Sequence, residues 1–175
     1  MDKIFKNELD FIIDGLTNSI LNLTTLDSFD TEIAKISNLD LNNITNSKKW
    51  NFNWENEFKN NSKQVYKLTI VNNPKVIQGL ISLTLEFDHI LINLLESAYF
   101  NIGNKKVYAG VPGNLVAFAC QSSFEKGFDG NVVFTAKYKL IKHYELSLGA
   151  FHLNNQRMII DTNAAKKLVN KYFKN

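Results

Sequence analysis

Between Lys105 and Asn114 the chain reads KKVYAGVPGN, a run of mostly small residues that leads directly into a helix-forming segment. Small side chains let main-chain N–H groups approach an anion closely. A helix N-terminus adds about half a positive charge and unpaired donors. Tyr108-Ala109-Gly110-Val111-Pro112-Gly113 is therefore a candidate pyrophosphate cradle, with Lys105 and Lys106 placed to meet a further phosphate. The other chemistry-bearing residues do not group. His89, His143 and His152 fall on separate expected elements without ligand spacing, so no metal site is expected. There is no GxxxxGK(S/T) loop, no GxGxxG after a strand, no HExxH and no GxSxG elbow. Nucleotide-hydrolysing P-loop, metalloprotease and serine-hydrolase chemistry all fall away. The single cysteine, Cys120, cannot form an internal disulfide. A thiol near a helix start could carry an acyl group, but Cys120 lies two turns in, on the side expected to face a sheet.

The elements that must position the cradle are clearest after Gln64. Val65–Val71 is β-rich and ends at Asn72-Asn73-Pro74; Val76–Phe87 and Ile90–Leu95 flank a tight Asp88-His89 turn, which predicts neighbouring antiparallel strands. After the 101–113 loop, Asn114–Lys126 reads as a helix stopped by Gly127, and Asn131–Ala136 as a strand. Leu140, Ile141, Tyr144 and Leu148 have helical spacing and stop at Gly149; Arg157–Asp161 is a short strand. Asn163–Phe173 is a helix with Ala165, Leu168, Val169 and Tyr172 inward. The result is a mixed α/β (α+β) sheet with helices packed on it. The first third is less legible. Phe11–Leu23 and Ser28–Ile36 read equally as strand or helix, whereas Trp50-Asn51-Phe52-Asn53-Trp54 alternates and predicts a strand whose three aromatics form a core face or a pocket wall.

Composition bounds the partners. The 175 residues are 45% hydrophobic and 21% charged, with no Gly/Ser-rich tract or charge block, as one folded domain requires and a disordered chain does not. The net charge is +3, supplied almost wholly by scattered lysines, for Arg157 is the one arginine. Nucleic-acid readers rely on arginine forks, so no nucleic-acid partner is expected, while a single phosphate-bearing ligand remains open. MDKIFKNELD lacks the apolar core of a signal peptide and no run approaches the ~20 apolar residues of a span. A cytoplasmic protein without a membrane partner is the expectation.

In order along the chain, LINLLESA, GVPGNLVAFACQSSFEKG, NVVFTAK, LIKHYELSLGA and RMIID resemble the GCN5-related N-acetyltransferase (GNAT) superfamily, in particular bacterial members. The resemblance covers about residues 64–173 and leaves 1–63 as a divergent N-terminal part of a single domain spanning 1–175. It implies the acyl-CoA N-acyltransferase fold, with a central mixed, mostly antiparallel sheet of six to seven strands flanked by helices. It also implies acetyl-CoA as co-substrate and a small-molecule or peptide amine as acceptor, and leaves a homodimer open. The sequence departs from the family's loop pattern: Tyr108 stands for its Gln or Arg, Val111 for its first glycine, and only Gly113 matches. Pro112 removes one N–H, and Lys137 replaces the helix asparagine that often touches the cofactor.

The resemblance also implies roles. Amine attack on a thioester needs a deprotonated amine, a donor for the oxyanion and a proton for the departing thiolate. Tyr144 falls where the family's proton donor lies, although it is equally placed as a core tyrosine. Glu96, at the end of ILINLL, is the candidate base, or else a strand-end carboxylate in solvent. Main-chain donors at Ser97 and Ala98 would meet the pantetheine amides and the oxyanion. Tyr108, Ala109, Gly110, Val111, Gly113 and Asn114 would form the pyrophosphate loop, with Lys137 beyond it. His143 points about 100° from Tyr144 and reads as a surface histidine or as part of the acceptor entrance. A non-catalytic acyl-CoA-binding or interaction protein on the same fold is the alternative.

Overall fold

Short-range hydrogen bonding decides the parts of the chain that apolar periodicity leaves open. A computed structural model describes residues 7–17 and 19–173. The ambiguous opening adopts the extended alternative: Ile20–Asn22 (β1), Ser28–Phe29 (β2) and Thr31–Lys35 (β3) are strands. Asn38–Ser47 (α1), a helix that no sequence expectation covers, starts at a capping box. There Ser37 Oγ accepts from the Asp40 N–H while the Asp40 carboxylate accepts from the Ser37 N–H. The strand expected over Trp50–Trp54 does not form. Asn53 Oδ1 accepts from the Asn56 N–H and opens a short helix, Trp54–Lys59 (α2). This local side-chain bond outweighs the two-residue alternation.

From there the expected order holds with shifted boundaries. Gln64–Ile70 (β4), Gly79–Leu85 (β5) and Ile90–Ser97 (β6) form an antiparallel meander. Tyr108–Ala109 (β7) leads into Val111–Glu125 (α3), which begins three residues before the expected Asn114 because Pro112 is accommodated in its first turn. Val132–Thr135 (β8) and Ile141–Leu148 (α4) follow, and Gly149 caps α4 with φ 68°. Phe151–Asn154 (β9), a strand that sequence reading missed, pairs with Arg157–Ile160 (β10), and Thr162–Phe173 (α5) closes the chain.

The main sheet has seven strands in the order β3-β4-β5-β6-β8-β10-β9, and a second sheet has the order β2-β1-β7. All neighbours in the main sheet are antiparallel except β6 and β8. This mixed, mostly antiparallel sheet with flanking helices matches the fold expected from sequence. Helix α3 packs on β5 and β6, with Leu115, Val116, Ala119 and Cys120 fully buried, and α5 packs against α3. Gly79 allows the close approach: a Cβ there would lie 2.7 Å from Val111 Cγ1 and 3.0 Å from Leu115 Cδ1.

The parallel pair sets up the site. β6 and β8 are joined only at Ile90–Val132 and Leu91–Val133, after which their pairing stops. Just beyond, Ser82 faces Leu94 while Leu83 faces Ile92, so Asn93 is an extra residue on β6. A bulge of this kind bends its strand. It opens a V in the middle of the sheet. Among the described residues, no helix is long and apolar enough to cross a membrane.

Candidate active site

The open end of the V borders a cavity of about 640 Å³, whose wall includes Glu96 and Ser97 from β6, Asn51 and Phe52 from the segment before α2, and Pro112 from α3. The rest of the wall comes from the 101–106 loop and from Asp10, Phe11, Ile12 and Asp14 of the chain's own N-terminal segment. Asn7 Nδ2 donates to the Asn93 carbonyl at the bulge, 3.4 Å away. Leu9 forms a parallel bridge with Ala136: its N–H donates to Thr135 O at 2.7 Å and its carbonyl accepts from Lys137 N at 2.9 Å. Leu9, Phe11 and Ile13 alternate inward and are 3%, 8% and 7% exposed. The Phe11 ring lies 4.8 Å from the Tyr144 ring and 5.8 Å from that of Phe134. The segment therefore fills the gap between the diverging strands as an extended chain.

It continues to the candidate cradle. Gly110, with φ 94°, caps α3, and its N–H donates to Asp14 Oδ1 at 3.1 Å. Lys106 Nζ pairs with the same carboxylate at 2.8 Å. Tyr108 and Ala109 pair with Asn22 and Leu21 of β1, and the Tyr108 N–H donates to Asn101 Oδ1 at 3.1 Å. Val111, Gly113 and Asn114 are buried. Asn114 Nδ2 donates to Thr31 Oγ1, and its Oδ1 has no partner among the described residues. The Tyr172 hydroxyl lies over Gly113 and donates to the Gly15 carbonyl at 3.2 Å; burial, with Asp14 nearby, pushes its pKa up to about 12.

That packing makes a prediction for Gly113. A Cβ at this position would lie 2.1 Å from Tyr172 Oη and 2.9 Å from its ring carbon, so the whole ring must shift. Gly113→Ala is expected to lower the urea-unfolding free energy by about 1–3 kcal/mol. In a Tyr172→Leu background the same change should add little, and equal losses in both backgrounds would refute the contact.

The other expected residues divide. Tyr144 is fully buried, and its hydroxyl donates to the Phe11 carbonyl at 2.6 Å. Burial, reinforced by Asp10, pushes its pKa well above the usual phenol value. Glu96 is not a carboxylate in solvent: it is 5% exposed. Its oxygens accept from Asn51 N at 2.7 Å, Phe52 N at 3.2 Å and Trp54 Nε1 at 2.9 Å. These bonds make Glu96 a clasp on the 51–54 segment. The Ala98 N–H donates to Gln78 O at 2.9 Å, while Ser97 lines the cavity. Lys137 is exposed and pairs with Asp10 at 2.6 Å. His143 is not a free surface residue; its Nε2 accepts from the Ile13 N–H at 2.9 Å. Cys120 is fully buried, which pushes its thiol far up and leaves it a packing residue. Among the described residues, no three His, Cys, Asp or Glu side chains come together to hold a metal.

Of the expected residues and loop, Glu96, Ser97 and Pro112 line one cavity, whereas Tyr144 is fully buried behind Phe11. Sequence reading missed Leu9, Phe11, Asp14 and Tyr172 as parts of the site. The inward alternation of Leu9, Phe11 and Ile13 is the signal that could have found the segment.

Comparison with known proteins places this geometry. No protein-family model matches the chain, and no curated protein matches it. Solved structures do. The spermidine N-acetyltransferase from Vibrio cholerae in complex with CoA and spermine is similar at a TM-score of 0.53 and 14% identity, over 78% of this chain and 98% of that one. A mutant of the toxin AtaT, bound to acetyl-CoA and the C-terminus of the antitoxin AtaR, is similar at 0.54 and 16%, over 79% and 98%. At such identities the fold is what is shared: the chain has the acyl-CoA N-acyltransferase fold of the GNAT acetyltransferases.

Proposed function

We propose that this chain is an acetyl-CoA-dependent N-acetyltransferase that moves an acetyl group to a primary amine by direct attack in a ternary complex. The observation that carries the reading is the anion at the start of α3. The Gly110 N–H and Lys106 ammonium converge on one carboxylate, Asp14, in the loop expected to hold a pyrophosphate. Donors arranged for a carboxylate there are suited to a phosphate oxygen. The V between β6 and β8 and its bulge at Asn93 support the same reading, because an acyl arm needs a gap in the sheet with unpaired main-chain groups. In the geometry described above, acetyl-CoA fits this site only after Asp14 and residues 9–13 have left it.

In the reaction, the amine nitrogen bonds to the acetyl carbon while the C–S bond breaks and its electron pair leaves on sulfur. The Tyr144 phenol gives its proton to that thiolate, and the proton lost by the amine passes to water in the cleft. Glu96 is a positioning residue that fixes the Asn51–Trp54 wall. The acceptor, a small molecule or a peptide amine, enters through the cavity beside Phe52 and Ser97.

A second reading, an acyl-CoA-binding protein without turnover, is favoured by Pro112 in the loop and by the filled cleft. One pair of measurements separates them: calorimetric titration with CoA, and release of free CoA from acetyl-CoA with a panel of primary amines. Acceptor-dependent release is the expected result. Binding without release selects the second reading, and no affinity for CoA in any variant overturns both.

A further inference from the structure

We propose that residues 7–17 are an intramolecular strap that competes with acyl-CoA for the same cleft, so that acyl-CoA binds only by displacing it. The inference rests on the acetyl-CoA reading above and goes beyond it. Three contacts mimic the three parts such a ligand would present. The Asp14 carboxylate takes the Gly110 N–H and the Lys106 ammonium, in place of a phosphate. The extended backbone at Leu9 pairs with the 135–137 edge, in place of an arm of amides. The Phe11 carbonyl accepts from the Tyr144 hydroxyl, the group assigned to the leaving thiolate.

The strap is built to detach as a unit. Its inward side chains, Leu9, Phe11 and Ile13, fill the V, whereas Glu8, Asp10 and Ile12 are exposed. The described part of the strap uses no helix or sheet ladder of its own, since a single bridge, Leu9–Ala136, joins it to the main sheet. Its other polar ties, Asn7 to Asn93, Asp10 to Lys137, Ile13 to His143 and Gly15 to Tyr172, each run through a side chain. A ligand that must first displace such a segment shows an apparent affinity reduced by the fraction of open molecules. Loosening the strap therefore tightens binding without adding any contact to the ligand.

The test uses the full chain and CoA itself. Amide exchange is followed at Leu9 and Ile13 with and without saturating CoA, and the dissociation constant is measured for the wild type, Phe11→Ala and Asp14→Asn. Ligands ordinarily slow exchange. Here the Leu9 and Ile13 amides are expected to exchange at least tenfold faster when CoA is bound. Phe11→Ala, which changes no charge, is expected to tighten CoA binding at least fivefold. CoA binding with both amides unchanged or slower overturns the strap and leaves the acetyltransferase reading intact. If the wild type shows no binding, binding by Phe11→Ala or Asp14→Asn supports the strap. Absence of binding by the wild type and by every folded variant overturns both proposals. Should Phe11→Ala fail to fold, Asp14→Asn, which keeps the side-chain volume, carries the comparison together with the exchange data.

Discussion

Glu96→Ala is expected to lower the unfolding free energy by about 3–5 kcal/mol, because it removes the one acceptor shared by three donors. A hydrogen bond to a charged group contributes about 1.5–3 kcal/mol. The Asn51 and Phe52 amides belong to a short segment that can turn to water, which brings the sum below three full bonds. The Trp54 indole is 2% exposed and cannot turn, so its N–H would be left buried and unpaired. Glu96→Gln is expected to lose less, about half as much, because its amide oxygen still accepts while its NH2 opposes one donor. Urea unfolding followed by tryptophan fluorescence and by circular dichroism reads both. The same pair separates a clasp from a base. A clasp loses stability in proportion to the bonds removed, and activity follows stability. Full stability with abolished turnover in Glu96→Gln would return Glu96 to the role of base.

This residue also marks what can be read from sequence and what cannot. Its strand was legible because ILINLL is a β-rich apolar run bounded by turn residues. Its partners were not, since they lie more than forty positions away in a segment whose alternation suggested a strand. The aromatic spacing of Trp50, Phe52 and Trp54 is compatible with either outcome; the Asn53 cap and the Glu96 carboxylate decide it. The loop at 108–113 was legible as an anion site because its chemistry is local: small residues, a helix start and flanking lysines. That the anion would be Asp14 was hidden, because a contact between positions 14 and 110 leaves no spacing to detect. The strands β4, β5 and β6 follow the same rule. Each is visible as a period or a run, but the bulge at Asn93 arises only from the register of two strands against each other.

Tyr144→Phe is expected to lower both kcat and the KM for acetyl-CoA, by unequal factors. The hydroxyl donates to the Phe11 carbonyl while the strap is in place, and in the proposed reaction its second partner is the departing thiolate once acetyl-CoA has displaced the strap. Losing a proton donor in the transition state lowers kcat by about 100-fold or more. Losing the bond to Phe11 weakens the strap by about 1 kcal/mol, which raises the open fraction and tightens apparent acetyl-CoA binding by about fivefold. The ring itself keeps its packing against Phe11 and Phe134, so the folded state persists. With the strap in place, burial raises the phenol's pKa, reinforced by Asp10. Steady-state kinetics with acetyl-CoA as the varied substrate measure both changes in one experiment. A purely structural tyrosine would leave kcat unaltered and shift only stability. A fall in kcat with KM unchanged would keep Tyr144 as the acid but remove it from the strap, and a tighter KM with full turnover would do the reverse.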